Sequence, residues 1–442
     1  MTKKYTPRNA KLARQLERWY PLRPHAQQLA LYNAVSEGVR FPIGLAGRRS
    51  GKTEMAKRFL ANTANSSPGE MLFAAAPTYT QAKRIWWEDL KALTLSCIHP
   101  RRPSESELII YAPNGSQIHV VGLDRPERIE GSPWTGGVID EIANIRAGAL
   151  NENIMPALNT MNPMRPDYRA WGWFIGVPEG NNHYADMVDA AYRTPGWAVY
   201  SWPSADILPA DVIEAERARM SPREFRQEYE ASFESATGRI YDDYGPENIT
   251  DAVLMPHEQI MWCHDFNFTP MSSCIAVRRG NSLYIVGEII LASATARQSA
   301  LEFIDRYANH GNKSVLIYGD PAGRAGEKHG HESDYTGMES VLRAAGWTVQ
   351  RRVKRAAPAI RDRQNAVRAK ILNAAGERTL FVNPSLCEYV HKGLATVQLK
   401  PGSAFLEVEG DYQHITTAVG YCIDYEWPIN APLALVSVQF PT

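Results

Sequence analysis

Cysteine is scarce: five residues in 442, at positions 97, 263, 274, 387 and 422, none of them in a CxxC pair. That scatter excludes a disulfide framework and a zinc knuckle, and it points to a reducing compartment. No apolar run approaches the roughly 20 residues that cross a bilayer. The opening stretch, Met1-Thr2-Lys3-Lys4-Tyr5-Thr6-Pro7, lacks an apolar h-region, so no secretory signal is expected. Net charge is lacking too: 48 Lys and Arg balance 48 Asp and Glu. What is there is an ordinary globular composition, 44% hydrophobic and 22% charged, long enough for two large domains or three average ones.

The neutral total hides local patches. Residues 1–60 hold thirteen Lys and Arg against three Asp and Glu. Residues 351–370 hold eight against one: Arg351, Arg352, Lys354, Arg355, Arg361, Arg363, Arg368 and Lys370 against Asp362. Local basic patches in a neutral chain suit a polyanion such as DNA. Either patch alone also reads as a solvated helix face.

One stretch organises the rest. Phe41-Pro42-Ile43-Gly44-Leu45 reads as a short strand, and Glu54 to Leu60 reads as a helix start. Between them lies Ala46-Gly47-Arg48-Arg49-Ser50-Gly51-Lys52-Thr53. A strand, a glycine-bearing loop and a helix make the context of a phosphate-binding loop. Loop amides and the helix N-terminus favour a polyphosphate. Lys52 can reach the β- and γ-phosphates of ATP, and the Thr53 hydroxyl can ligate Mg²⁺. Ala46 stands where the motif usually has its first glycine. Upstream, Pro24-x-x-Gln27 can place the Gln27 amide over adenine.

Further strands follow at intervals. Met71–Thr78 is an apolar strand ending in a turn, and Gln81–Leu93 reads as a helix. Residues 108–121 read as a hairpin turning at Asn114-Gly115. Gly137-Val138-Ile139-Asp140-Glu141 is a buried-type strand ending in two acids. Asp140 would hold Mg²⁺ through water, and Glu141 would polarise the attacking water. Trp171–Pro178 is another core strand. Strands alternating with helices imply a mostly parallel α/β sheet.

After Thr237-Gly238 a second series begins. Asp265 lies on its first strand, Glu288 on its second, and Asp320 at the end of a third. Asp411-Tyr412-Gln413-His414 begins a late helix. Acids from separate strands plus one helical residue can converge on two hard cations, Mg²⁺ or Mn²⁺, and cleave a phosphodiester.

In this order the motifs resemble the large terminase subunit of tailed bacteriophages, a DNA-packaging motor, over nearly the whole chain. Arg40-Phe41 before the loop is similar to that family's P-loop, and Ala76-Pro77-Thr78-Tyr79-Thr80-Gln81-Ala82-Lys83 resembles its second ATPase motif. Val138-Ile139-Asp140-Glu141 fits its Walker B strand, and Gly176 to Tyr184 resembles its coupling motif. Phe225 to Phe233 resembles the stretch joining its two domains. Asp265, Glu288 and Asp320 sit where its nuclease has acids. Val177 departs from a common hydroxyl residue, and the last metal ligand is open between Asp411 and His414.

The resemblance implies an ASCE-type P-loop ATPase over residues 1–205, a lid-like linker over 206–237 and an RNase H-like endonuclease over 238–442. It implies double-stranded DNA, a portal protein and a small terminase subunit as partners. It also implies a homo-oligomeric ring, expected to be a pentamer, on the procapsid of an infected bacterial cell. Candidate arginines completing the ATPase site are Arg48 or Arg49 in cis and Arg125 or Arg128 in trans. The alternatives are a helicase- or restriction-type translocase, which needs a second motor domain, and a DNA-binding scaffold with an inactive P-loop.

Overall fold

The computed structural model describes residues 24–94, 101–159, 168–180, 182–234, 238–266, 270–325, 333–400, 403, 405–410 and 412–429. The chain divides into two compact units: Met1–Ile213 with Arg226–Ser235, and Glu214–Phe225 with Ala236–Thr442. The segment 206–237, expected as a separate linker, is thus shared out between them. It holds two short helices, α7 (Ala210–Arg219) and α8 (Pro222–Tyr229).

In the first unit α1 (Ala26–Asn33) precedes β1 (Phe41–Ala46), and α2 (Lys52–Ser66) leads to β2 (Met71–Ala76). Helix α3 (Tyr79–Ala82) runs through a π-helical turn, Lys83–Trp87, into α4 (Glu88–Thr94). Strands β3 (Ile109–Tyr111) and β4 (Gln117–Gly122) form the expected hairpin. Then come β5 (Gly136–Asp140), α5 (Met155–Leu158), β6 (Trp171–Gly176), α6 (His183–Ala191) and β7 (Trp197–Trp202).

The sheet order is β3-β4-β2-β5-β6-β1-β7, and every pairing but β3 with β4 is parallel. A parallel sheet is covered on both faces, which explains why β1, β5 and β6 are buried at every residue. Alternate residues feed two cores. Ile43, Phe73, Ile139 and Phe174 face one side, while Leu72, Val138, Trp173 and Ile175 face the other. Phe59 of α2 stacks on Trp173 with ring centroids 4.2 Å apart. Strand β6 lies between the P-loop strand β1 and the acid-bearing β5, the ASCE arrangement.

The second unit contains β8 (Ile260–Asp265), β9 (Met271–Arg279), β10 (Ser282–Leu291), α9 (Ala296–Arg306) and β11 (Ser314–Gly319). It continues with α10 (Asp334–Ala344), β12 (Thr348–Arg351), α11 (Ile360–Ile371), β13 (Leu380–Val382), α12 (Glu388–Thr396) and α13 (Gln413–Glu426). Strands β8, β9 and β10 form an antiparallel meander, with β11 parallel to β8 and β12 parallel to β11. The order β12-β11-β8-β9-β10 is that of an RNase H-like sheet, with β13 added at the edge. Strand β9, which sequence alone leaves unassigned, pairs on both sides.

His264 on β8 is fully buried, with its ring parallel to Phe266 at 5.1 Å and 4.2 Å from Trp262. Among the described residues neither ring nitrogen finds a hydrogen-bond partner. Burial holds its pKa down to about 3, below the ordinary 6.5. The unfolded chain therefore binds a proton that the folded chain refuses, and stability falls as pH drops from 6.5 toward 3. Between pH 7.5 and 5 this proton costs about 2 kcal/mol. His264→Phe should flatten the loss, read as urea midpoints at the two pH values. Equal losses in variant and wild type would refute the assignment.

Candidate functional sites

The loop after β1 is built by its neighbours. Gly47 N–H donates to the Trp202 carbonyl at 3.1 Å, and Trp202 Nε1 donates to the Ser50 carbonyl at 3.0 Å. A Cβ on Gly47 would lie 2.4 Å from Ser204 Oγ and 2.6 Å from the Tyr229 carbonyl oxygen, so only glycine fits. Gly51 turns left-handed at φ 79° and leads into α2. The glutamine at the loop is Gln28, not Gln27. Gln28 is buried and its Nε2 donates to the Ser50 carbonyl at 2.9 Å, whereas Gln27 is exposed on α1. Helix α1 begins at Ala26 with His25 as its N-cap, and Gln28 rather than Gln27 falls on its buried side.

Lys52 is buried, with Nζ 3.5 Å from the Gly47 carbonyl oxygen. Thr53 Oγ1 donates to Asp140 Oδ2 at 2.7 Å, and Asp140 Oδ1 accepts from Glu141 N at 2.9 Å. Burial pushes the Asp140 carboxyl upward, opposed by the Lys52 charge and the Thr53 hydrogen bond. Burial, then Asp140's charge, does the same to Glu141, opposed by Lys52 and Arg48. Glu141 sits at φ 55°, a left-handed conformation uncommon outside glycine. His183 Nε2 lies 3.0 Å from the Ile142 carbonyl oxygen, and Asn182 Nδ2 donates to the Ala143 carbonyl at 3.1 Å. The loop after β6 thereby fixes the turn that carries Glu141. Arg48 and Arg49 are exposed in the loop, and Arg49 is also left-handed at φ 56°. Arg125 and Arg128 are exposed around the short turn Pro126–Ile129, with the Arg128 guanidinium 5.9 Å from the Tyr79 ring centroid.

In the second unit Asp265 ends β8 and Asp320 follows β11. Gly319 pairs with His264, so the two acids leave adjacent parallel strands side by side. Asp320 Oδ1 accepts from Ala322 N at 2.8 Å. His414, in the first turn of α13, places Nδ1 3.0 Å from Asp265 Oδ2. Its rival Asp411 lies outside the described residues. Tyr421, further along α13 and without a signal in the sequence, has its hydroxyl pKa raised by burial and then by the nearby charge of Asp320. Glu288 is a correction. Its two oxygens accept from Tyr389 N at 3.0 Å and Val390 N at 3.1 Å, capping α12. A buried strand acid needs donors, and a helix N-terminus supplies them. Among the described residues no three His, Cys, Asp or Glu groups are placed to hold a metal ion. The donor sets themselves, hydroxyl with carboxylate at Thr53–Asp140 and two carboxylates with imidazole in the second unit, have the chemistry of Mg²⁺ or Mn²⁺ ligands.

The basic segment is a second correction. Arg351 pairs with Glu339 at 2.6 Å and Arg352 with Glu426 at 2.7 Å, while Lys354 pairs with Asp424. Arg363 is buried against Glu407, Arg368 donates to the Ile240 carbonyl at 2.7 Å, and Lys370 to the Asn281 carbonyl at 3.0 Å. The Arg361 guanidinium lies 5.6 Å from the Phe405 ring centroid, and Arg355 is exposed. Helix α11 is buried along most of its length, and Arg363, Arg368 and Lys370 on it serve the interior, whereas Arg361 is half-buried.

A family model described as terminase large subunit, T4likevirus-type, N-terminal, matches residues 43–243. The terminase large subunit of Escherichia phage T5 is 26% identical over 247 residues, 53% of this chain and 53% of that protein. The match thus spans about half of that relative. A large terminase from a thermophilic bacteriophage is 16% identical with a TM-score of 0.58, covering 91% of this chain and 99% of that one. The same protein in complex with ATP-gamma-S gives a TM-score of 0.55 at 16% identity, covering 90% and 98%. At that identity the likeness is one of fold, and it extends through both units.

Removing a buried hydrogen-bonding group leaves its partners unsatisfied, at about 1–3 kcal/mol for each. Arg368→Glu should therefore lower the urea midpoint sharply, whereas Arg355→Glu at an exposed position should not. Equal midpoints for the two variants would return the segment to the surface.

Proposed function

We propose that this chain is a large terminase subunit, an ATP-driven DNA-packaging motor with its own endonuclease. The observation that carries the reading is the convergence of Lys52, Thr53, Asp140 and Glu141 at the carboxyl end of one parallel sheet. In this reading the loop amides and Lys52 bind the polyphosphate, and Thr53 with Asp140 would hold Mg²⁺. Glu141, held by its strained turn, orients the water that attacks the γ-phosphate. The relative from the thermophilic phage was solved with ATP-gamma-S and with ADP, which supports a nucleotide at the corresponding place here.

In the second unit Asp265 and Asp320 would hold the divalent cations, with His414 or Asp411 as the further ligand. Such cations activate water and stabilise the leaving oxygen of a phosphodiester. The paired strand ends keep the two carboxylates together, and His414 orients Asp265. Partners in this reading are double-stranded DNA, a portal protein, a small terminase subunit and further copies in a ring, in the cytoplasm of an infected cell. A helicase-type translocase would call for a second sheet like the first. The antiparallel meander of the second unit favours the nuclease instead.

Removing one preorganised electrostatic contact costs on the order of 10²–10³ in rate. Lys52→Ala and Glu141→Gln should each lose ATPase activity on that scale while leaving plasmid cleavage intact. Asp265→Ala and Asp320→Ala should do the reverse, abolishing Mg²⁺- or Mn²⁺-supported cleavage of plasmid DNA and sparing ATP hydrolysis. Undiminished hydrolysis in the first pair, or cleavage in the second, would remove the corresponding activity from the proposal.

A further inference from the structure

A cavity of about 340 Å³ lies in the second unit, away from both sites described above. Glu214–Phe225, which includes the last turns of α7, belongs to this unit. The walls carry the methyl groups of Ala215 and Ala218 from α7 and of Ala366 and Ala369 from α11. Four alanines leave room that larger side chains would fill, and they offer a ligand no side-chain hydrogen bond. The room does not come from a loose helix. Asn373 Nδ2 donates to the Ala218 carbonyl at 2.8 Å, and Ala374 N donates to the Met220 carbonyl at 2.7 Å.

The polar end of the cavity is Lys370, only 7% exposed. Its Nζ donates to the Asn281 carbonyl at 3.0 Å and lies 3.9 Å from the Trp427 ring centroid. Both partners are neutral. Nearby, Arg219 pairs with Glu216 and Arg278 with Glu426, whereas no carboxylate among the described residues pairs with Lys370. Burial, then the charge of Arg278, holds its pKa down to about 8, with Glu377 opposing.

We propose that this cavity is a docking site for an acidic peptide segment of a partner protein. The segment seats an aliphatic side chain among the four alanines and a neighbouring carboxylate on Lys370. The carboxylate supplies the counter-charge that the fold withholds, through a charge-assisted hydrogen bond. The aliphatic side chain gains by leaving water for walls that are themselves apolar. A nucleic-acid base would need a bare aromatic face to stack on. That of Trp427 is taken, since Arg278, 4.8 Å from its ring centroid, lies over it as Lys370 does. A free small molecule is usually enclosed over most of its surface. Here Ala215 and Ala218 are exposed, so the occupant continues past the cavity along α7. Because α7 and α11 supply the two walls, the bound segment also clamps α7 in place.

The test is a ligand-detected NMR titration of the full chain with two capped peptides, acetyl-Gly-Leu-Glu-Leu-Gly-amide and the same peptide with Gln for Glu. The Glu peptide should bind about tenfold tighter, the scale of one charge-assisted hydrogen bond. Lys370→Met keeps an apolar stem of similar length and should erase that preference. Ala218→Phe, at an exposed position, fills the mouth and should weaken the Glu peptide about tenfold. Equal affinity of the two peptides for wild type, a preference that survives Lys370→Met, or no effect of Ala218→Phe overturns the proposal. Displacement of the Glu peptide by a duplex oligonucleotide assigns the cation to phosphate and also overturns it. So does the absence of binding to the full chain, the result expected if residues 430–442 or a second copy fill the cavity. Should Lys370→Met fail to fold, the peptide pair and Ala218→Phe decide.

Discussion

The hydrogen bond from Thr53 to Asp140, 2.7 Å long, joins the two ends of the chemistry in the first unit, and the sheet is arranged to allow it. Thr53 opens α2 behind β1, and Asp140 closes β5 with β6 between them. Parallel pairing brings all three strand ends to one edge, with Asp140 opposite Ile175 in register. Helices on both faces keep that edge dry enough to raise both carboxyls. Two acids in such a place are tolerable only beside cations, and Lys52 and Arg48 answer them. Burial of the strands, placement of the charges and strength of the contacts are one constraint.

That constraint extends to the backbone. Glu141 takes a left-handed conformation that a non-glycine residue adopts at some cost, and the surroundings must over-determine it. Asn182 and His183 do so by bonding the carbonyls of Ala143 and Ile142. The resemblance leads one to expect that the loop after β6 senses phosphate through a hydroxyl residue, where this chain has Val177. Its polar contacts instead come a turn later and act on the residues around Glu141. The same loop touches α8 through Gly180 and Gln227, so strain at the acid and the seating of α8 meet in one loop.

Much of this was legible because burial leaves a mark on sequence. All-apolar runs gave β1, β2, β5 and β6, and the glycine spacing gave the loop. Failures came where one residue of register or a distant partner decides. Gln28 rather than Gln27 reaches the loop because α1 begins after His25, whose Nδ1 accepts from Gln28 N at 3.4 Å. Glu288 has the look of a strand-end ligand, yet it lies in the row of Cys274 and Cys263, two residues back from Asp265, where a helix N-terminus captures it. Strand β9 was missed because Ser272 and Ser273, both buried, interrupt its apolar run and leave neither a continuous apolar stretch nor an alternation. Tyr421 had no local signature at all.

The basic run at 351–370 shows how charge in sequence misleads and what it does instead. Helix α13 ends in Asp424 and Glu426, where acids oppose the negative end of the helix dipole. Lys354 answers Asp424, and Arg352 and Arg278 answer Glu426 from two sides, with the Tyr318 hydroxyl donating to it at 2.7 Å. Arg363 packs along Gly420 in the middle of the same helix, so closely that a Cβ there would meet its Cγ at 2.6 Å. The opposite end of α13, with its positive dipole, carries His414 against the Asp265 carboxylate. The cations therefore secure the far half of the helix whose first turn completes the acidic site. Their charge bears on the acidic site through the placement of α13. That internal pairing is also how a segment so basic can sit in a chain with no net charge.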